Sequence, residues 1–249
     1  MTKRRKISMF LALVLVIAIF LVYWFYLAKP SGLPTEKEIL SIAGREDTTI
    51  RPDKIQDILS IDSTHVLVPI ITSEDTYGLI FMVWKHHKWT MDSIVTNGSP
   101  RIWTLKKNDP SSQYIVWNMH PDDQLGQIDF YLLKRRSYSG SGGISTYEPG
   151  TQMKTPALLN ESTYGFKKLP KDWAYYMEKF KDTSRNAPQS ILENFFSNSP
   201  LYVAWLPLNQ KGQSAFPERS VNGESYHTGD QIIDQLFILG NEDLEGMIH

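Results

Sequence analysis

The densest group of side chains able to do chemistry is His120-Pro121-Asp122-Asp123. An imidazole beside two carboxylates is a set that a divalent cation takes, or an acid and a base for hydrolysis. The same residues also make an ordinary turn after a strand, with proline setting φ and the carboxylates accepting backbone N–H bonds. The turn is the simpler reading, and the sequence assigns no catalytic, cofactor-binding or metal-binding residue. The remaining histidines are His65, His86, His87, His227 and His249, and no pair has the spacing of a helical zinc site. His86 and His87 are adjacent, so on a strand they would point to opposite faces.

Other signatures fail as well. The chain has no cysteine to act as nucleophile or soft ligand. It contains no G-x-S-x-G, no S-x-x-K and no D-x-D-x-D-G run. Gly140-Ser141-Gly142-Gly143 lacks the lysine and following helix of a phosphate loop and reads as a mobile surface loop. Lys134-Arg135-Arg136 and Lys167-Lys168 with Lys171 are small basic clusters. Of the seven tryptophans, most are expected in the core.

The elements that must position these residues begin with an apolar run. Residues 7–28 hold one non-hydrophobic residue, Ser8, and follow Lys3, Arg4, Arg5 and Lys6. About 20 apolar residues span a bilayer as a helix, and basic flanks stay on the cytoplasmic side. The bulky exit Tyr23-Trp24-Phe25-Tyr26 does not suit signal cleavage. The sequence therefore predicts a six-residue cytoplasmic stub at 1–6, an uncleaved single-pass signal-anchor at 7–28 contacting the lipid bilayer, a linker at 29–34 and an extracytoplasmic domain at 35–249. The expected location is a cell membrane with the N-terminus cytoplasmic. The absence of cysteine favours a bacterial envelope over a eukaryotic secretory compartment.

Charge follows the same division. The whole chain balances 26 basic against 27 acidic residues, a net of −1. Four basic and no acidic residues lie in 1–28, so residues 29–249 carry −5. That sign argues against nucleic acid as a partner.

Thr35 and Glu38 form a capping box for a short helix ending near Gly44. From there the hydrophobic period is that of strands, over 55–61, 64–72, 77–85, 88–95, 101–105, 113–119 and 127–136, with further strands at 144–148, 151–159 and 201–208. Short polar connections predict an antiparallel meander. Trp84-Lys85-His86-His87-Lys88-Trp89 reads as a hairpin pairing Trp84 with Trp89, although His-His is a poor tight-turn pair and leaves room for a longer loop. Two helices are predicted over 170–196, one with a Trp173, Tyr176, Met177, Phe180 stripe and one capped by Asn186.

The expected fold is α+β: the membrane helix, then a single domain with a mainly antiparallel sheet and the 170–196 helix pair on one face. A β-sandwich with peripheral helices is the alternative. The expected role is a non-enzymatic, membrane-anchored envelope protein binding another protein or a cell-wall component. The alternative is a tethered hydrolase using carboxylates near Asp122 and Asp123.

Overall fold

Runs of β-branched and aromatic residues form sixteen strands in the computed structural model, which describes residues 3–24, 29–30, 32–45, 50–141, 144–186 and 201–244. Sheet A contains β1 (Pro52–Ile55), β2 (Leu59–Ser60), β3 (His65–Thr72), β4 (Tyr77–Lys85), β5 (Lys88–Val95) and β14 (Ser225–His227). Its order is β1-β3-β4-β5-β14, with β2 also on β3. Pro69 explains the break between β1 and β2. It has no N–H to give a partner strand, and both short strands pair with β3 on either side of it.

Sheet B is β12 (Tyr164–Lys168), β7 (Gln113–Asn118), β6 (Arg101–Thr104) and β15 (Ile232–Gln235), in that order. Sheet C is β11 (Thr151–Leu158), β8 (Leu125–Lys134), β13 (Tyr202–Asn209) and β16 (Phe237–Ile238). All pairings are antiparallel except β13 with β16. The glycine-rich segment expected as a mobile loop instead carries a two-stranded hairpin, β9 (Ser137–Ser141) with β10 (Ile144–Glu148).

The three large sheets stack, and side-chain alternation shows the order of layers. In β4, Ile80 and Met82 face helix α2 (Glu36–Ala43), packing with Ile39 and Ala43. Leu79, Phe81 and Val83 face the opposite way and meet Trp103 and Val116 of sheet B. On sheet B's other face, Ile102, Ile115 and Trp117 pack against Ile128, Phe130, Leu132 and Trp205 of sheet C. Helix α3 (Lys171–Asn186) joins that core through Trp173 and Ala174. The far face of sheet C is covered by Leu239 and Leu244. Strands buried on both faces read as unbroken apolar runs, which is why residues 79–83 show no alternation in sequence.

The fold class expected from sequence is therefore corrected. The molecule is mostly antiparallel sheet with few helices, in three stacked layers rather than a sheet with a helical face. α2 is short and capped as expected, with Thr35 and Glu38 exchanging hydrogen bonds. A one-turn helix, α4 (Glu218–Val221), completes the α-helices among the described residues. The second helix expected near Asn186 lies outside the described residues.

The membrane span is corrected too. Among the described residues, no helix is long and apolar enough to cross a membrane. Helix α1 covers Lys3–Val22, but its first four residues are basic. The apolar part, residues 7–22, rises only about 24 Å at 1.5 Å per residue, short of ~30 Å of hydrocarbon. At Tyr23 and Trp24 the backbone widens into a π turn. Residues 25–28 of the expected segment lie outside the described residues. The single-pass, signal-anchor, extracytoplasmic and cell-membrane expectations all rested on this span and are not supported.

Residues that follow α1 contact the β4–β5 hairpin. Trp84 pairs with Trp89 and Lys85 with Lys88, and the turn is only two residues. His86 and His87 have φ of 50° and 63°, the left-handed pair that such a turn requires and that Asn-Gly usually supplies. Trp24 stacks on the His87 ring with centroids 4.3 Å apart. Trp89 Nε1 donates to the Gly32 carbonyl at 3.3 Å.

Candidate functional site

The turn after β7 places His120 almost wholly inside the protein, its side chain 2% exposed. Its Nδ1 accepts the Asp122 backbone N–H at 3.1 Å. In the neutral ring this leaves the proton on Nε2, an assignment made from the network. Nε2 then donates to Asp75 Oδ2 at 3.3 Å, and Arg219 Nη2 donates to the same oxygen at 2.8 Å. The 3.1 Å approach of Arg219 Nη2 to Nε2 is thus two donors sharing one acceptor. Tyr77 lies edge-on to the imidazole at 4.5 Å, and its hydroxyl is pushed above the usual tyrosine range by burial, then by the charges of Asp75 and Asp122.

Asp122 and Asp123 separate. The Asp122 carboxylate is 71% exposed and 3.8 Å from His120 Nδ1. Asp123 turns to α4, accepting from Arg219 N–H at 3.0 Å and Ser220 Oγ at 2.5 Å. Ser220 Oγ in turn accepts the His120 N–H at 2.8 Å. The second carboxylate beside the imidazole is thus Asp75, from the β3–β4 turn. Ligand atoms of Asp75, His120 and Asp122 lie within 4.8 Å of one another, the spacing of a cation site. The Arg219 guanidinium already brings positive charge there, and the Nδ1 lone pair is engaged by an amide. The cluster is a latch joining the β3–β4 turn, the β7–β8 connection and α4. Asp75 and Arg219 are 45 and 99 residues from His120, so no local motif marked them.

Beside this latch the connections between sheets B and C frame a groove. Residues 119–124 lead from β7 to β8, and residues 159–163 return from β11 to β12. Met119 N–H donates to Thr163 O at 2.8 Å and Leu159 N–H to Gly126 O at 3.0 Å, pinning the two connections. The turn after β13 forms the opposite wall. Asn209 Oδ1 accepts the N–H groups of Lys211 and Gln213, and Gly212 adopts φ of 75°. Gly126 admits this turn, since a Cβ there would stand 2.9 Å from Gln210 Cα.

Two depressions of about 520 and 560 Å³ meet over Leu125, Leu159, Asn209 and Gln210. Met119, Leu125 and Leu159 give an apolar floor, and Gln124, Asn160, Thr163, Gln210 and Gln213 a polar rim. Among the described residues, neither depression is lined by a carboxylate or by a Phe, Tyr or Trp ring. Sequence reasoning did not find this groove, because its walls come from three connections brought together by sheet stacking.

The other sequence candidates lie elsewhere. His86 and His87 occupy the hairpin tip. Arg135 pairs with Asp243 at 3.4 Å, and Lys168 sits over the Tyr114 ring. Trp103, Trp117, Trp173 and Trp205 are buried. Comparison with known protein families, characterised proteins and solved structures returns no match for this chain.

Proposed function

We propose that this chain is a non-enzymatic binding domain that holds an extended polypeptide segment in the groove between the sheet B and sheet C connections. The observation that carries this reading is the groove's rim. The side chains of Gln124, Asn160, Thr163 and Gln210 make no hydrogen bond among the described residues. An amide offers both a donor and an acceptor, which is the pairing that a peptide backbone needs. The apolar floor supplies contact area for side chains. A cell-wall glycan is the less favoured occupant, because among the described residues no Phe, Tyr or Trp lines the groove to stack on a sugar.

Hydrolysis by Asp122 and Asp123 is also less favoured. Asp123 is occupied at α4 and Asp122 stands in solvent, so the two do not face a common substrate position.

Selection of a displayed random decapeptide library on the whole chain tests the proposal. Peptides should be enriched, and those peptides should bind at least tenfold more weakly to Gln210→Trp, which fills the groove from an exposed position. No enrichment, or equal binding to the variant, overturns it.

A further inference from the structure

We infer that the groove has a direction: its His120–Lys211 half receives a carboxylate of the bound peptide, and its other half receives neutral chain. This rests on the polypeptide reading above. One half is lined by His120, Gln124, Lys211 and Gln213, the other by Gln127, Asn160 and Gly212, with Gln210 between them. Among the described residues, the only full positive charge lining the groove is thus at one end, and no acidic residue lines either half.

Two features bear on Lys211, its place in the groove and its free charge. Its backbone is held by the Asn209 side chain, at 2.9 Å from Oδ1, within a turn whose Gly212 takes a left-handed φ. Its ammonium has no ion-pair or hydrogen-bond partner among the described residues, unlike Lys85 with Asp230 or Lys154 with Asp129. An anchored backbone and an unspent charge, in a groove without acids, select a carboxylate over its amide. Because the pair forms at the surface, the preference is modest and screened by salt.

The test uses three synthetic octapeptide pools of matched random composition, otherwise lacking Asp and Glu. One ends in a free carboxylate, one in an amide, and one is amidated with a single internal Asp. Each is passed over the immobilised chain and quantified by mass spectrometry. The free-acid pool should be retained about two- to fivefold better than the amide pool at about 0.05 M salt, with the ratio approaching one at about 0.5 M. Lys211→Gln should bring the ratio to one at low salt, and Lys211→Arg should keep it. Preference for the internal-Asp pool alone would place the carboxylate on a side chain, and for the free-acid pool alone at the chain end. Equal retention of all three pools by the unmodified chain overturns the direction but leaves the polypeptide reading standing. Retention of none overturns that reading itself.

Discussion

Asp123 accepts from the Arg219 amide and the Ser220 hydroxyl, while the Asp122 carboxylate beside it points into water. Replacing Asp123 with Ala removes the acceptor of α4's first turn from across the fold. It should lower unfolding stability by about 1–2 kcal/mol, as loss of a helix cap does. Asp122→Ala leaves the backbone N–H that His120 uses and should change stability by less than about 0.5 kcal/mol. Urea denaturation of the two variants checks the contrast, and equal losses would contradict the division of roles. A second residue-level expectation concerns Lys154. Its hydrogen bond to Asp129 at 2.5 Å holds the ammonium above the usual lysine range, against opposition from partial burial. A pKa raised by folding means stabilisation that is complete below the unfolded lysine value of about 10.4 and is lost as pH climbs through the folded one. The urea midpoint should therefore fall more between about pH 9 and pH 12 for the unmodified chain than for Lys154→Met. A parallel fall would show that the pair contributes nothing.

At the level of elements, the groove depends on how closely the turn after β13 approaches the start of β8. Gly126→Val would drive a side chain into Gln210 Cα and Asn209 O. The turn should move outward, weakening capture of the selected peptides several-fold while the far ends of β8 and β13 keep their pairing. Amide hydrogen exchange should show faster exchange at Gln213, whose N–H bonds Asn209 Oδ1, and unchanged protection at Leu132. Loss of protection at both would mean that the substitution unfolds sheet C as a whole. Most of sheets A and C was legible in the sequence, because long apolar runs bounded by polar turns have few other outcomes in antiparallel packing. The hairpin register followed from the Trp84 and Trp89 pair, although the turn's left-handed backbone at two histidines did not. β12 passed unnoticed, since residues 164–168 mix aromatic, glycine and lysine without a clean period. β14 was also missed, being a short strand in a turn-rich stretch, and residues 231–239, which hold β15 and β16, fit strand or helix alike in sequence, because all three pair with partners set far away in the chain. The latch was half legible: the His120 turn is local, but Asp75 and Arg219 arrive only through topology. For α1, counting apolar residues in the sequence did not reveal where regular helix ends.

Across the whole molecule, the layers A, B and C are held mainly by apolar contact, which fixes distance between sheets better than it fixes lateral position. Asn118, fully buried at the end of β7, supplies a directional contact between A and B. Its Nδ2 lies 2.7 Å from Gly78 O, 3.1 Å from Ile70 O and 2.8 Å from Gln56 Oε1, all from sheet A or the segment beside it. Gly98 packs so closely against the Asn118 carbonyl that any Cβ there would clash. Asn118→Leu leaves the Gly78 carbonyl without this side-chain donor and should cost about 2–3 kcal/mol in urea unfolding. A loss below about 0.5 kcal/mol would show that the apolar contacts alone set the alignment. In mechanical terms Asn118 is a dowel through two plates. It opposes sliding of one sheet over the other at a buried point, so a force applied along the strands would be resisted there before the greasy faces on either side begin to shear.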